Sequence, residues 1–389
     1  MLAQEEQRKP VANTIVSELP NLEALGDISG KRVLVRTDFN VPLDNGIIRD
    51  DLRIREAIPT LKYLIDNGAE VTACSHLGRP KGKFEEKYSL EPIRNRLNEI
   101  LPGIKLLDNL RFNSGEESND PEFIQQLVAG QDIYVNDAFG ASHRNHASIT
   151  GPPQLLPSAA GRLLHNEVEI LLQVRNKPKR PFVAILGGSK VSDKLGVIDA
   201  LVQVVDKLLI GGGMCFTFLK AQGQQIGSSL LEEGQLDYCR ELLEAGAPIV
   251  LPHDFTAMDS DGKIGDAAVG GVVRQMGKNI PDGWTGLDIG PGSAAAFGDI
   301  IQESKTVLWN GPMGVFEDRR FSAGTKHVAQ SMAENKASFT VIGGGDSAAA
   351  AKEFEFDTEI DHVSTGGGAS LELIEKGTLP GIDALLTNQ

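Results

Sequence analysis

Eight short apolar runs recur along the chain, separated by stretches with a helical rhythm, and this alternation limits the possible folds more than any other feature. The runs are RVLVRTDF (32–39), AEVTACSH (69–76), IYVNDAF (133–139), FVAILGG (182–188), KLLIGGG (207–213), PIVLPHDF (248–255), TVLWNGP (306–312) and FTVIGGG (339–345). Most are apolar throughout rather than alternating, which marks strands buried on both faces, as in parallel sheets covered by helices. Between them lie patterns such as DLRIREAIPTLKYLIDNG (51–68), closed by a glycine. Repeated β–α alternation of this kind predicts an α/β architecture.

A chain of 389 residues is too long for one core. The break falls near residue 180. GRLLHNEVEILLQVRN places apolar residues at 164, 168, 171 and 172 on one helical face, and KPKRP then stops the helix before a new strand starts at Phe182. A net charge of −15 disfavours nucleic acid or an anionic membrane as the main partner. Cys74, Cys215 and Cys239 form neither a disulfide framework nor a metal motif, which points to a reducing cytosol. The leader lacks the apolar core of a signal peptide and reads as a polar, partly disordered extension. No run is long enough to cross a membrane. The expectation is a cytoplasmic protein.

In open parallel sheets, ligands bind beyond the carboxyl ends of the strands. In the first half those ends are cationic: Arg36, Asp38 and Asn40, then His76 and Arg79, then Arg111, then His143, Arg144 and His146, with Arg53 opening the first long helix. Taken singly, each arginine makes a surface ion pair. Together at strand ends of an acidic chain, they suggest a pocket for a small anion carrying phosphate and carboxylate. His76 and His143 read as hydrogen-bonding neighbours rather than as a general base. In the second half the ends are glycine clusters at 187–188, 211–213, 286–292, 311–314, 343–345 and 366–368. Glycine lets backbone N–H groups approach an anion, and helix N-termini add positive partial charge. Asp346, after the 343–345 triplet, is read either as a helix cap or as a ligand to Mg²⁺ held on phosphates. Lys190 and Lys194 in GGSKVSDK are not a P-loop, and at i and i+4 they share one helical face. A small-anion half and a nucleotide half suggest phosphoryl transfer across a cleft, and a carboxylate acceptor would need no catalytic base.

Together RTDFNVP, SHLGRP, NLRFNSGE, DAFGASHR, ILGGSKVSDK, GGGMCFTFL, WNGPMGVFE, GGGDSA and VSTGGGASLELIEKGTLPGIDAL resemble, in order, the signatures of the phosphoglycerate kinase family, over roughly residues 31 to 385. The resemblance implies an α/β fold of two doubly wound (Rossmann-like) parallel-sheet domains joined by a helix, with a cleft between them. It implies a triose-binding domain over 1–178 including the helix at about 163–176, a nucleotide domain over 179–370, and a segment 371–389 returning to the first. The activity implied is reversible phosphoryl transfer between 1,3-bisphosphoglycerate and ADP, giving 3-phosphoglycerate and ATP, with Mg²⁺, by a monomer whose domains close.

By the same resemblance, Asp38, Asn40, Arg53, His76, Arg79, Arg111 and Arg144 bind the triose. Lys194 and the 343–347 loop (Gly344, Gly345, Asp346, Ser347) take the nucleotide phosphates, with Asp346 holding Mg²⁺. Glu317 faces the ribose, and Gly212, Gly213, Gly286, Leu287 and Pro312 form the adenine pocket. Arg53, Lys190 and the amides around Gly367 flank the phosphoryl group in transfer. Ser347 stands where threonine is common, and Met313 replaces a smaller apolar residue. An NAD-dependent dehydrogenase is the alternative enzyme, weakened by the lack of a dinucleotide fingerprint. A nucleotide-binding protein without turnover is the non-catalytic one.

Overall fold

The computed structural model describes residues 11–266 and 270–387, so residues 1–10 of the polar leader lie outside the described residues. The later part of the leader is ordered: a helix spans Val11–Glu18, and Ile15, Leu19 and Leu22 are buried. The chain divides into two compact units, residues 1–172 with 376–389, and residues 173–375.

In the first unit, β1 (Arg32–Arg36), β4 (Glu70–Cys74), β5 (Lys105–Leu106), β6 (Ile133–Asn136) and β7 (Ser158–Ala160) form one parallel sheet. Its order is β5-β4-β1-β6-β7, and β2 (Leu43–Asp44) and β3 (Ile47–Ile48) make a separate hairpin. The chain winds outward from β1 to one edge, then returns to β1's other side. That reversal between β1 and β6 is the switch point of a doubly wound sheet. Val33, Leu34 and Val35 are fully buried because helices cover both faces. The helix Leu52–Asp66 buries Ile54, Ala57, Leu61 and Leu64, a stripe at helical spacing, in the core that holds Val33, Val35, Val71 and Ala73. It stops at Gly68, whose φ of +82° suits glycine and whose N–H donates to Ile65 O at 2.9 Å.

The second unit repeats the plan. β8 (Phe182–Leu186), β9 (Lys207–Ile210), β10 (Ile249–Val250), β14 (Thr306–Asn310), β15 (Phe339–Ile342) and β16 (His362–Val363) lie in the order β10-β9-β8-β14-β15-β16, all parallel. Its switch point is between β8 and β14, whose residues are buried throughout. Fully buried Trp309 satisfies its indole N–H on Gly311 O at 2.7 Å. The helix Arg162–Asn176 runs across the boundary between the units, with Leu164, Val168, Leu171 and Leu172 buried along one face.

One expected strand is two. PIVLPHDF gives β10 (Ile249–Val250) and β11 (Phe255–Asp259), in different sheets. Pro252 has no N–H for a ladder, and Asp254 turns away to accept the Gly292 and Ser293 amides at 2.9 and 2.6 Å, holding the start of helix Pro291–Gln302. β11 then pairs antiparallel with β12 (Val273–Met276) and β13 (Trp284–Ile289), an addition that glycine-rich sequence had disguised as loop. Among the described residues no helix is long and apolar enough to cross a membrane.

Candidate functional site

In the first unit, the turns following β1 and β4 bring the predicted polar residues together. Asp38 is buried, and Arg53, from the first turn of helix Leu52–Asp66, donates Nη1 to its Oδ2 at 3.0 Å and to Asn40 O at 3.3 Å. Asn40 Oδ1 accepts the Gly78 N–H at 2.9 Å, and Arg111 Nη1 donates to Gly78 O at 2.7 Å. Arg36, at the end of β1, is fully buried with its Nη2 3.1 Å from His76 Nδ1. A guanidinium only donates, so Nδ1 accepts and His76 is neutral with its proton on Nε2. Burial agrees, holding His76 well below the usual imidazole value, with Arg36, Arg111 and Arg53 adding to it and Asp38 opposing. For Asp38, burial works against ionisation. The charges of Arg53 and Arg36, with the Asn40 N–H donated to its Oδ1, outweigh it, and the carboxyl stays below its ordinary value.

Arg79 and Arg144 are exposed and belong to the same neighbourhood: Arg79's charge acts on Arg111, and Arg144's on His146. Burial first, then Arg111, Arg36, Arg144 and His143, pull His146 down to about 4. Neutral imidazoles among converging guanidiniums suit a multiply charged anion and offer no strong base.

Beneath this surface lies a buried pair that sequence reasoning did not single out. Glu116 and Arg36 are both fully buried, 3.9 Å apart, and Glu116 also accepts the Ser148 N–H at 3.0 Å and hydroxyl at 2.6 Å. Glu116 is followed directly by Glu117 and then by Asp120, in a run that reads as a solvated face, so nothing local marked it as a core counter-ion.

Two cavities lie among the described residues of the second unit. One, of about 380 Å³, is walled by Gly212, Gly213, Phe216, Leu230, Phe255, Gly286, Leu287, Pro312 and Val315, with Glu317 also in its lining. Such a slot of backbone and apolar side chains suits a flat heteroaromatic ring. The other, of about 270 Å³, is lined by Lys190, Lys194, Asn310, Gly344, Gly345, Asp346, Ser347 and Gly367. Gly188, Ser189 and Asp346 line both, so the two adjoin. Lys194 Nζ donates to Asn310 O at 3.2 Å and to Asn310 Oδ1. Burial pulls its ammonium down to about 8, with Asp346 and Asp193 opposing.

Several details correct the sequence reading. Lys190 and Lys194 do not share a helical face: Lys190 is in a loop, Ser192–Lys194 is a single 3₁₀ turn, and the α-helix starts at Leu195. Asp346 is not a cap, since Gly344 holds that position with no side-chain capping bond. Ser347 is fully buried and its hydroxyl accepts the Gly311 N–H at 2.5 Å, so it fixes the turn after β14. The glycines divide by cause. A Cβ at Gly187 would lie 2.0 Å from Pro312 O, and one at Gly212 2.5 Å from Gly188 N, so these permit the turns after β8, β9 and β14 to pack backbone on backbone. Gly345, first residue of helix Gly345–Glu353, has open space where its Cβ would be, as an anion cradle requires. Asn310, which holds Lys194 and also donates to Gly343 O, was missed although a polar residue closing an apolar strand was a usable signal.

The phosphoglycerate kinase family profile matches residues 22–105 and 102–377. The phosphoglycerate kinase of Trichodesmium erythraeum is 47% identical over 388 residues, covering 92% of this chain and 96% of its own. Phosphoglycerate kinase 3, cytosolic, of Arabidopsis thaliana is 49% identical over 391 residues, with the same coverage. The solved structure of phosphoglycerate kinase from Coxiella burnetii superposes with a TM-score of 0.85 at 36% identity, covering 95% of this chain and 99% of that one. That from Pyrococcus horikoshii gives 0.79 at 29% identity, covering 94% and 98%.

Proposed function

The chain belongs to the phosphoglycerate kinase family, and from that premise we propose how its residues divide the work. It is a kinase of glycolysis, a phosphotransferase with a carboxyl group as acceptor. It moves a phosphoryl group reversibly between 1,3-bisphosphoglycerate and ADP, giving 3-phosphoglycerate and ATP.

In our reading the first domain, 1–178, holds the triose, the second, 179–370, holds the nucleotide, and 371–389 returns to the first. Arg53, His76, Arg79, Arg111 and Arg144 neutralise the phosphate and acyl ends, and Asp38 and Asn40 orient the hydroxyl and carboxyl region. The adenine enters the apolar cavity at Gly212, Gly213, Gly286, Leu287 and Pro312, the ribose meets Glu317, and the phosphates meet Lys194, Gly344, Gly345, Asp346 and Ser347. The single observation that carries this division is the pair of adjoining cavities, one apolar and one lined by lysines and glycines, sharing Asp346. That is the shape and chemistry of a base joined to a polyphosphate.

A carboxylate acceptor is ionised at neutral pH, so catalysis reduces to positioning and charge compensation. His76, neutral with its Nε2 proton, donates rather than abstracts. Arg53, Lys190 and the amides around Gly367 compensate charge on the phosphoryl group in flight, where loss of one such donor costs about 3 kcal/mol. Transfer in line requires the domains to close, with the helix at 163–176 and the C-terminal segment as hinges. Among the described residues no group of three or more acidic, histidine or cysteine side chains could hold a metal alone. One carboxylate beside a phosphate cavity fits Mg²⁺, which takes most of its ligands from phosphate and water. Asp346 would hold that ion, which screens phosphate charge when bound. We read the protein as a cytosolic monomer, consistent with three buried free cysteines and the cytosolic Arabidopsis relative.

The test is a coupled assay with 3-phosphoglycerate and Mg-ATP, following ADP release. Turnover that depends on both substrates and on Mg²⁺ is expected, and Asp346→Ala should raise the Mg²⁺ requirement. No turnover at millimolar substrate would sink the assignment.

A further inference from the structure

Forty residues beyond the lysine turn, the segment 228–232 touches both parts of the nucleotide site. Glu232 Oε2 accepts the Val191 N–H at 2.5 Å and the Ser192 N–H at 3.1 Å, and its Oε1 accepts the Ser192 hydroxyl at 2.6 Å. These are the amides directly after Lys190, at the start of the 3₁₀ turn that carries Lys194. The turn runs straight into the helix Leu195–Leu201, and its leading amides, which no helical turn satisfies, go to a carboxylate from elsewhere in the chain. Glu232 is anchored in turn, its own N–H donating to the buried Thr217 hydroxyl at 3.2 Å.

The same segment reaches the base cavity. Ser228 and Leu230 line it, and Ser229 Oγ accepts the N–H of Gly286, another wall residue, at 2.9 Å. The Glu232 carboxyl is held below its ordinary value. What burial it has opposes ionisation, but the Ser192 hydroxyl and amide, the Val191 amide and the charge of Lys190 outweigh that.

We propose that Glu232 is a positioning residue that sets the lysine turn for phosphoryl transfer, and that segment 228–232 couples occupancy of the base cavity to that turn. The proposal rests on Lys190 acting on the transferred group. Glu232 does not touch the substrate; it acts through the backbone that aims Lys190. A nucleotide base seated against Leu230 and Gly286 stiffens five residues, the last of which caps the turn.

The experiment uses the full chain and the variants Glu232→Gln, Glu232→Ala and Lys190→Ala. Gln keeps the shape and removes the charge that two amides and a hydroxyl address. Loss of charge-assisted bonds to the turn should lower kcat about tenfold, with KM for 3-phosphoglycerate unchanged and thermal melting within a few degrees of the parent. In the Lys190→Ala background, Glu232→Ala should add less than about twofold, because residues acting through one group are not additive. Amide hydrogen exchange reads the cap without turnover. The Val191 and Ser192 amides should exchange slowly in the parent, more slowly with adenosine bound, and fast in Glu232→Ala whether or not adenosine is present.

Unchanged kcat in both variants, a loss that multiplies fully with Lys190→Ala, or unprotected amides in the parent would overturn the proposal. If Glu232→Ala melts early, Glu232→Gln and the parent's exchange pattern carry the decision. A parent enzyme without turnover strikes at the kinase assignment instead, and leaves the exchange measurement standing.

Discussion

Nucleotide binding should take up a proton at alkaline pH, and Lys194 is where it should go. Burial lowers its ammonium to about 8 in the unliganded chain, while Asn310 supplies acceptors and no charge. Near pH 8.5, a group with that pKa is neutral in about three-quarters of the molecules; near pH 6.5 it is almost wholly charged. Phosphate oxygens within about 4 Å favour the ammonium and return its pKa towards that of free lysine, about 10.4. Binding ADP near pH 8.5 should therefore absorb about 0.7 to 0.8 proton, and near pH 6.5 none at this residue. Linkage then makes the ADP dissociation constant rise by up to about tenfold per pH unit above pH 8. Calorimetric titrations in two buffers of different ionisation enthalpy give the proton count directly. Lys194→Met should remove the alkaline uptake and flatten the pH dependence of affinity. Uptake of equal size at both pH values, or uptake that survives in Lys194→Met, would refute the link between burial and phosphate binding at this lysine.

Three further outcomes are expected. Arg53→Ala should cut turnover far more than it weakens ADP binding, because Arg53 lies in the first unit beside Asp38 and Asn40; equal losses in both would contradict its role in the transfer step. Glu116→Gln removes the carboxylate 3.9 Å from the buried Arg36 guanidinium and should cost about 3–5 kcal/mol in denaturant unfolding, whereas a loss below about 1 kcal/mol would show that Arg36 finds other compensation. Asp137 is fully buried against the start of helix Arg162–Asn176, accepting the Leu163 and Leu164 amides at 2.9 and 3.3 Å, and burial pushes its carboxyl up to about 7. The native state thus holds a proton that the unfolded chain gives up near pH 4, so stability falls as pH rises from about 4 to about 7. Asp137→Asn keeps the acceptor and removes that slope, and should gain on the parent by a few kcal/mol between pH 5 and pH 8; a difference independent of pH would argue against the buried acid.

The fold was legible because its signals are local. Unbroken apolar runs announce strands covered on both faces, and Gly68, needed at positive φ, announces where a helix stops. The antiparallel addition was not legible, because PIVLPHDF reads as one run until Asp254 is seen to leave the ladder for the amides of residues 292 and 293. The polar residues of the site were legible as types at strand ends, and their functional assignments came from the motifs that resemble a family.

Partnership is what the one-dimensional pattern leaves open. That glycines cluster after the second-half strands is written in the sequence; that Gly187 and Gly212 serve backbone contact while Gly345 opens onto a cavity depends on which turns face each other. Glu116 reads as a surface acid and is the counter-ion of a buried arginine. Lys190 and Lys194 read as neighbours on a helix, yet one is in a loop held by Glu232 and the other is held by Asn310, 116 residues away. The sequence by itself determined the alternation of strands and helices, the cationic first half and the glycine-rich second. Only the strand order, which sets β14 directly beside β8, decided which groups meet there. The physical reason is range: backbone propensity and apolar periodicity act over a few residues, whereas a hydrogen bond or a buried charge finds its partner wherever the sheet topology brings one within 3 or 4 Å.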